Sequence, residues 1–353
     1  MTKIFIIAEA GVNHNGKLEL ALRLIEAAHA AGADAVKFQT FRAQDVTTPT
    51  ARTADYQRVN TGASSQFDMI KALELDEDAH RELVGHCNRI GIEFFSTPFS
   101  CDAVDLLVSL GVRRIKLPSG EITNQPLLEK AAATGLPLLM SSGMATLEEV
   151  QTAVGWVTAQ WQASGYPLSA TRGGDPESPS LVLLHCTSAY PAPAAALNLR
   201  AIATMAGAFS WPVGYSDHSE GMEAAVAAVA LGATVIEKHL TLDKALPGPD
   251  HKASANPLEF AAMVRSIRQV EAMLGDGIKR PQLAEIDTRD VARRSVVTTR
   301  NLPAGHALSE SDLALRRPGT GIAPDRWTTL VGRRLVKEVP AHTCLQWSML
   351  ESE

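Results

Sequence analysis

The chain has 353 residues, 45% of them hydrophobic and 20% charged, with a formal net charge of −6 and a pI near 6.0. That composition describes a soluble globular protein long enough for one large domain and one small one. It excludes a basic nucleic-acid footprint, a membrane helix of roughly 18 apolar residues and a secretory leader, so neither nucleic acid nor membrane is expected as a partner and the location expected is cytoplasmic.

Four cysteines, Cys87, Cys101, Cys186 and Cys344, form no C-x-x-C pair. Zinc-ribbon and thioredoxin-like readings therefore fail, and reduced thiols are expected.

Short apolar segments recur along the first 245 residues, nearly all ending in charged or polar residues. In chain order they are Ile4–Gly11, Val36–Phe41, Glu93–Phe99, Ile115–Glu121, Pro137–Met144, Leu181–Tyr190, Val213–His218 and Thr234–Asp243. Between them lie stretches with helical spacing: Leu18–Gly32, Asp78–Gly91, Asp102–Gly111, Asn124–Gly135, Thr146–Trp161, Glu220–Gly232 and Pro257–Gly275. Several begin with a capping residue and end at a glycine, the usual punctuation of a helix. Eight strand segments in alternation with these seven helical stretches over residues 1–275 predict a (β/α)8 TIM barrel. An open doubly wound sheet is the alternative, but no G-x-G-x-x-G loop follows the first strand.

Two stretches break the rhythm. Residues Thr47–Gln66 are polar and follow the second strand, where a long loop reads as a lid or substrate loop. Residues Ala163–Ser180 precede the sixth strand and read as an insertion without function on the opposite face. From 276 to 292 the chain is polar and charged, as in a linker. Residues 293–353 carry short β-like pieces with Pro/Gly turns and predict a small β-rich domain, one that leans on a neighbour because it can bury little core by itself.

A parallel barrel brings the C-terminal ends of its strands to one rim. Glu9, Lys37, Lys116, Glu121, His218, Glu237 and His239 are thereby expected at one mouth. His218 and His239 end consecutive strands, and two imidazoles with a carboxylate such as Glu237 or Asp217 suit a divalent ion with open positions. Lys37 and Lys116 read either as members of buried ion pairs with Glu9 or Glu121, or as an anion clamp or Schiff-base lysine. Ser119, Gly120, Ser141, Ser142 and Gly143 supply small donors and close backbone approach for phosphate or carboxylate oxygens. Asn13–Gly16 (NHNG) reads as an Asn-Gly turn or a substrate loop. Pro247–Ser254, with Asp250, His251 and Lys252, reads as a further rim loop.

The motifs IAEAGVNHNG, VKFQTF, STPFS, KLPSGEITN, SSGMAT, LLHCTSAYPAP, VGYSDHSEG, IEKHLTLDK and PGPDHKAS, in this order, resemble the sialic acid synthase (nonulosonate synthase) family. The tail, in ALRRPGTGI and LVGRRL, resembles that family's antifreeze-like SAF domain, a β-clip fold. The resemblance implies a metal-dependent condensation of phosphoenolpyruvate with N-acetylmannosamine and water, giving N-acetylneuraminate and phosphate. N,N'-diacetyllegionaminate synthase, acting on 2,4-diacetamido-2,4,6-trideoxymannose, is the near alternative; pseudaminate synthase and a Schiff-base aldolase using Lys116 are further ones. It also implies Mn2+ or Mg2+ on His218 and His239. Lys37, Lys116, Ser119, Ser141 and Ser216 would hold phosphoenolpyruvate, with Glu237 beside it. Glu9 and Glu121 would position or activate sugar and water, and Tyr190, Pro191 and Asp250 would line the sugar site. Arg317 would reach the partner's mouth in a domain-swapped homodimer. Ser188 stands where some members carry Asn. A purely ice-binding or carbohydrate-binding tail is disfavoured by Arg316, Arg317, Arg333 and Arg334.

Overall fold

Eight parallel strands form one sheet: β1 (Phe5–Gly11), β2 (Ala35–Thr40), β3 (Glu93–Pro98), β4 (Ile115–Leu117), β5 (Leu138–Ser141), β6 (Leu181–Cys186), β7 (Val213–Asp217) and β8 (Val235–His239). The computed structural model describes residues 3–53, 55–62, 65–166 and 180–352. The spatial order is β3-β2-β1-β8-β7-β6-β5-β4, so the first and last strands are neighbours. With β3 and β4 packed across the seam, the sheet is a near-closed TIM barrel.

Several of the helices start where the sequence supplies caps. Asp76, Ser100, Asn124, Thr146 and Asn256 each accept a backbone N–H of the helix that follows, and Thr146 with Glu149 and Asn256 with Glu259 complete capping boxes. Helices cover the sheet from outside through one large apolar layer, in which Ile6, Val36, Phe38, Leu183 and Ile236 meet Leu24, Leu83, Leu107, Trp161 and Phe260.

A second, smaller cluster fills the barrel interior: Ile7, Ala35, Phe95, Leu139, Leu184 and Val235. Along a strand, every second side chain shares a face. Two residues beyond each of these apolar positions stand Glu9, Lys37, Thr97, Ser141, Cys186 and Glu237. The apolar layer is thus the floor beneath a polar layer at the strand ends.

The polar stretch Thr47–Gln66 is not a bare loop. It holds the short helix Asp55–Thr61 and is flanked by the helices Ala43–Val46 and Gln66–Lys71, the latter capped by Ser65. A further helix, Ala201–Ala208, lies between β6 and β7 at a place where the sequence showed no clear periodicity. Of the stretch Ala163–Ser180, residues 167–179 lie outside the described residues.

Residues Met1–Asp276 form one compact unit and Gly277–Glu353 another. The expected linker carries a short helix, Ile286–Ala292, and groups with the second unit. There, β9 (Ser295–Thr298) pairs antiparallel with β10 (Leu313–Arg316). Isolated bridges such as Leu302–Val339 and Leu335–Leu350 extend the β character. Val296, Leu308, Ile322, Leu330 and Leu345 help close a core of its own. Buried Asp312 knots this unit, accepting from Nε2 of His306 at 2.9 Å, from Oγ of Ser309 at 2.7 Å and from Nε of Arg300 at 2.9 Å.

Candidate active site

The C-terminal ends of the barrel strands surround a cavity of about 540 Å³. Glu9, Lys37, Lys116, Ser119, Ser141, Tyr190, Ser216, His218, Glu237, His239 and Asp250 all line it, although they come from seven strands or the loops beyond them. At its base Lys37 Nζ lies 2.7 Å from Glu9 Oε2 and donates to Thr97 Oγ1 at 2.9 Å. Lys116 Nζ lies 3.3 Å from Glu237 Oε1, which also accepts from Ser216 Oγ at 3.0 Å. The two pairs are one cluster, since Lys37 is 3.9 Å from the same Glu237 oxygen. Lys116 therefore pairs with Glu237 rather than Glu121.

This buried cluster separates the protonation behaviour of its two carboxylates. Burial lifts Glu9 to about 7, against the pull of Lys37 and with the help of nearby Glu237. Burial also acts upward on Glu237, but Lys116 and Lys37 outweigh it and hold that carboxyl at about 2. Burial favours the neutral amine of Lys116, a tendency that Glu237 opposes and Lys37 reinforces. Burial lifts Asp250 to about 6.

The two histidines face one another, with ring centroids 5.4 Å apart, and Tyr190 packs against His218 at 4.3 Å. Burial favours the neutral form of both rings, and in His239 the proximity of His218 and Lys37 adds to this. His218 Nδ1 is 2.8 Å from the carbonyl of Thr187. A carbonyl can only accept, so Nδ1 carries the hydrogen and Nε2 keeps its lone pair, the tautomer a metal ligand needs. His239 Nδ1 and Glu237 Oε2 are buried without a hydrogen-bond partner, as is Ser141 Oγ. Two neutral imidazoles beside an ionised carboxylate fit a divalent cation. Among the described residues no set of three His, Cys, Asp or Glu side chains is gathered around one point, so such an ion would draw its remaining ligands from water or substrate.

Asp217 is a correction. The strand pleat turns Ser216 and His218 inward and Asp217 outward, where its Oδ2 lies 2.7 Å from Lys238 Nζ. Its other oxygen accepts from the backbone N–H of Ser219 at 2.9 Å. Asp217 thus braces the turn that carries His218. Glu121 sits half-buried on the short turn Ser119–Glu121, its Oε2 accepting from Asn124 Nδ2 at 2.6 Å, and does not line the cavity. Pro191 is exposed and also lies off the lining. Arg317 is exposed and belongs to the second unit.

The NHNG turn acts as a tie. Asn13 Nδ2 donates to the Leu240 carbonyl at 2.9 Å and to Ser254 Oγ at 2.8 Å, and Asn15 Oδ1 is 3.1 Å from His251 Nε2. These bonds fix the loop that presents Asp250. At Gly16, with φ +69°, a side chain would come within 2.3 Å of the Ala72 carbonyl oxygen.

Thr97 and Gln39 were missed in the sequence. Gln39 lines the cavity, its Nε2 donating to Glu9 Oε1 at 3.1 Å. Both stand two residues past an inward-facing position of their strand, which is the signal that could have found them. Gln57, in the segment after β2, and Ser188, after β6, also line the cavity.

Comparison with known proteins matches residues 24–279 to the NeuB family and residues 293–351 to the SAF domain. The chain belongs to the NeuB family. It is 49% identical over 349 residues to the N,N'-diacetyllegionaminic acid synthase of Legionella pneumophila, covering 99% of this chain and 95% of that one. It is 43% identical to the protein of the same name from Campylobacter jejuni, covering 96% and 97%. Among solved structures, the N-acetylneuraminic acid synthetase of Leptospira borgpetersenii matches with a TM-score of 0.69 and 36% identity, over 81% of this chain and 90% of that one. This NeuB-family chain is accordingly an enzyme, a barrel synthase with an SAF domain at its C-terminal end. No helix among its described residues is long and apolar enough to cross a membrane.

Proposed function

We propose that this enzyme condenses phosphoenolpyruvate with an N-acetylated amino sugar and water, giving a nine-carbon 2-keto sugar acid and phosphate. The observation that carries this reading is the cavity base: two buried lysines, two carboxylates of opposed acidity and two neutral imidazoles on one wall of a NeuB-family barrel. Of the sugars weighed above, we favour 2,4-diacetamido-2,4,6-trideoxymannose over N-acetylmannosamine. The supports are the 49% and 43% identity to proteins named for diacetyllegionaminic acid, against 36% for the N-acetylneuraminic acid synthetase.

Lys37 and Lys116, with the hydroxyls of Ser119, Ser141 and Ser216, would take the carboxylate and phosphate of phosphoenolpyruvate. Such a trianion needs local positive charge in an acidic protein. His218 and His239 would hold a divalent ion, Mn2+ or Mg2+, with Glu237 close by; when bound, such an ion polarises the sugar aldehyde. Carbon 3 of the enol then bonds to the aldehyde carbon, whose oxygen takes a proton. Water adds at carbon 2, its proton passing to a base, and the carbon–oxygen bond to phosphate breaks. Glu9, lifted to about 7 and tied to Lys37, suits the base at neutral pH. Glu237 stays anionic and would stabilise positive charge developing at carbon 2. Tyr190 and Asp250 line the part of the cavity next to the histidines and would meet the sugar. We also propose a homodimer in which Arg317 of each subunit serves the sugar bound by the other.

The test is phosphate release from phosphoenolpyruvate with Mn2+ and each sugar in turn, before and after EDTA. The synthase reading expects phosphate with an acetamido sugar, loss on chelation and recovery with Mn2+. Reductive trapping of a pyruvate adduct on Lys116 by borohydride, insensitive to EDTA, would replace it with an aldolase.

A further inference from the structure

We propose that the cavity carries an apolar wall that selects a deoxygenated sugar: Val12, Phe41, Val46, Ile70, Leu73 and Phe99 receive a methyl group where other hexosamines carry a hydroxymethyl. This rests on the reading that the cavity joins phosphoenolpyruvate to an amino sugar. The six side chains form an apolar cluster of their own, separate from the barrel core. They come from the segments that leave β1, β2 and β3, directly beyond Glu9, Lys37 and Thr97, and all six line the same cavity. The helix Gln66–Lys71 presents part of this wall, since its Ile70 packs in this cluster rather than on the barrel core.

The chemistry sets which end of the sugar meets it. The aldehyde has to lie by the lysines and histidines, so the opposite end, carbons 5 and 6, turns toward the wall. Gln39, Gln57 and Gln66 line the cavity as well, and their amides suit acetamido groups. A hydroxymethyl pressed against the six apolar side chains gains nothing from them and gives up a hydrogen bond to water. A hydrophobic pocket rejects an isostere with one added hydroxyl by about 100-fold at best.

The experiment compares kcat/KM for N-acetylmannosamine with that for its 6-deoxy counterpart, with phosphoenolpyruvate and Mn2+ saturating. The 6-deoxy sugar is expected to lead by about 10- to 100-fold. The double variant Val46→Thr, Ile70→Thr, checked for native unfolding temperature, should narrow that ratio about tenfold by offering hydroxyl partners. A wild-type ratio at or below one overturns the wall as a selector, while turnover itself leaves the synthase reading standing. An unchanged ratio in the folded variant overturns it equally. If these two sugars and the diacetamido sugar all leave phosphoenolpyruvate unconsumed, the synthase reading falls and takes the wall with it.

Discussion

Lys116 is buried with its ammonium 3.3 Å from Glu237, and replacing it with Met removes charge from the centre of the cavity without adding bulk. Truncating one member of a buried charge pair costs about 2–5 kcal/mol, so kcat/KM for phosphoenolpyruvate should fall by at least roughly 30-fold, as steady-state kinetics would show. An activity within a few-fold of wild type would remove Lys116 from the anion site. Gly143 is a second sensitive point. A Cβ there would stand 2.3 Å from Ser188 Oγ and 2.8 Å from both Cys186 Sγ and Ser119 Oγ. Gly143→Ala therefore has to push Ser119 and Ser188 out of place. A fall in kcat/KM with a nearly unchanged unfolding temperature is expected, because the displaced hydroxyls belong to the cavity rim and not to the core.

At the scale of elements, the ends of β7 and β8 are locked by Asp217 and Lys238, whose side chains are 0% and 2% exposed. Asp217→Asn leaves a buried ammonium without its counter-ion, a loss of about 3–5 kcal/mol in unfolding free energy measured by denaturant titration. The double change Asp217→Asn, Lys238→Met should recover part of that, since no buried ammonium is then left without a counter-ion. Asp312 is the equivalent knot in the second unit. Burial alone would raise its pKa, but hydrogen bonds from His306, Ser309 and Arg300 outweigh burial and hold the carboxyl well below the ordinary range. A depressed pKa in the folded state contributes stability above the unfolded value of about 4, and that contribution is lost as the pH falls below it. Amide exchange at Ser295–Thr298 should lose protection progressively as the pH falls below about 4 toward Asp312's depressed pKa, and hold its full level above about pH 5. In Asp312→Asn the protection should be low throughout.

These elements also show where sequence reasoning reached and where it stopped. His218 and His239 were readable because apolar runs stop abruptly at polar residues there, and Lys37 and Lys116 because each is a lysine inside an otherwise largely apolar strand. The pleat phase at those ends was not readable: Asp217 and His218 adjoin in the chain, and only the register of β7 with β8 settles which faces inward. Glu121 misled for a related reason. β4 is three residues long, and the chain leaves it through a tight turn that breaks the alternation. The Thr187 carbonyl that sets the His218 tautomer is backbone, so no residue type announces it.

For the whole molecule, the homodimer proposal makes a sharp statement about mixed subunits. Co-expressing Arg317→Ala with His239→Ala leaves, in each heterodimer, one barrel with its histidine and a neighbour that still has its arginine. About a quarter of wild-type activity should return if pairing is random, as two-fold symmetry allows. If Arg317 acts within its own subunit, the mixture stays as inactive as either parent.

Lys116 finds its counter-ion 121 positions further along the chain, and Asn13 its oxygen acceptor 241 positions on. A nascent polypeptide that has produced only its first four staves thus holds cations and amides with no counterparts yet synthesised. Half a barrel from this gene should remain unstructured when expressed alone, and become ordered only when the complementary half is supplied.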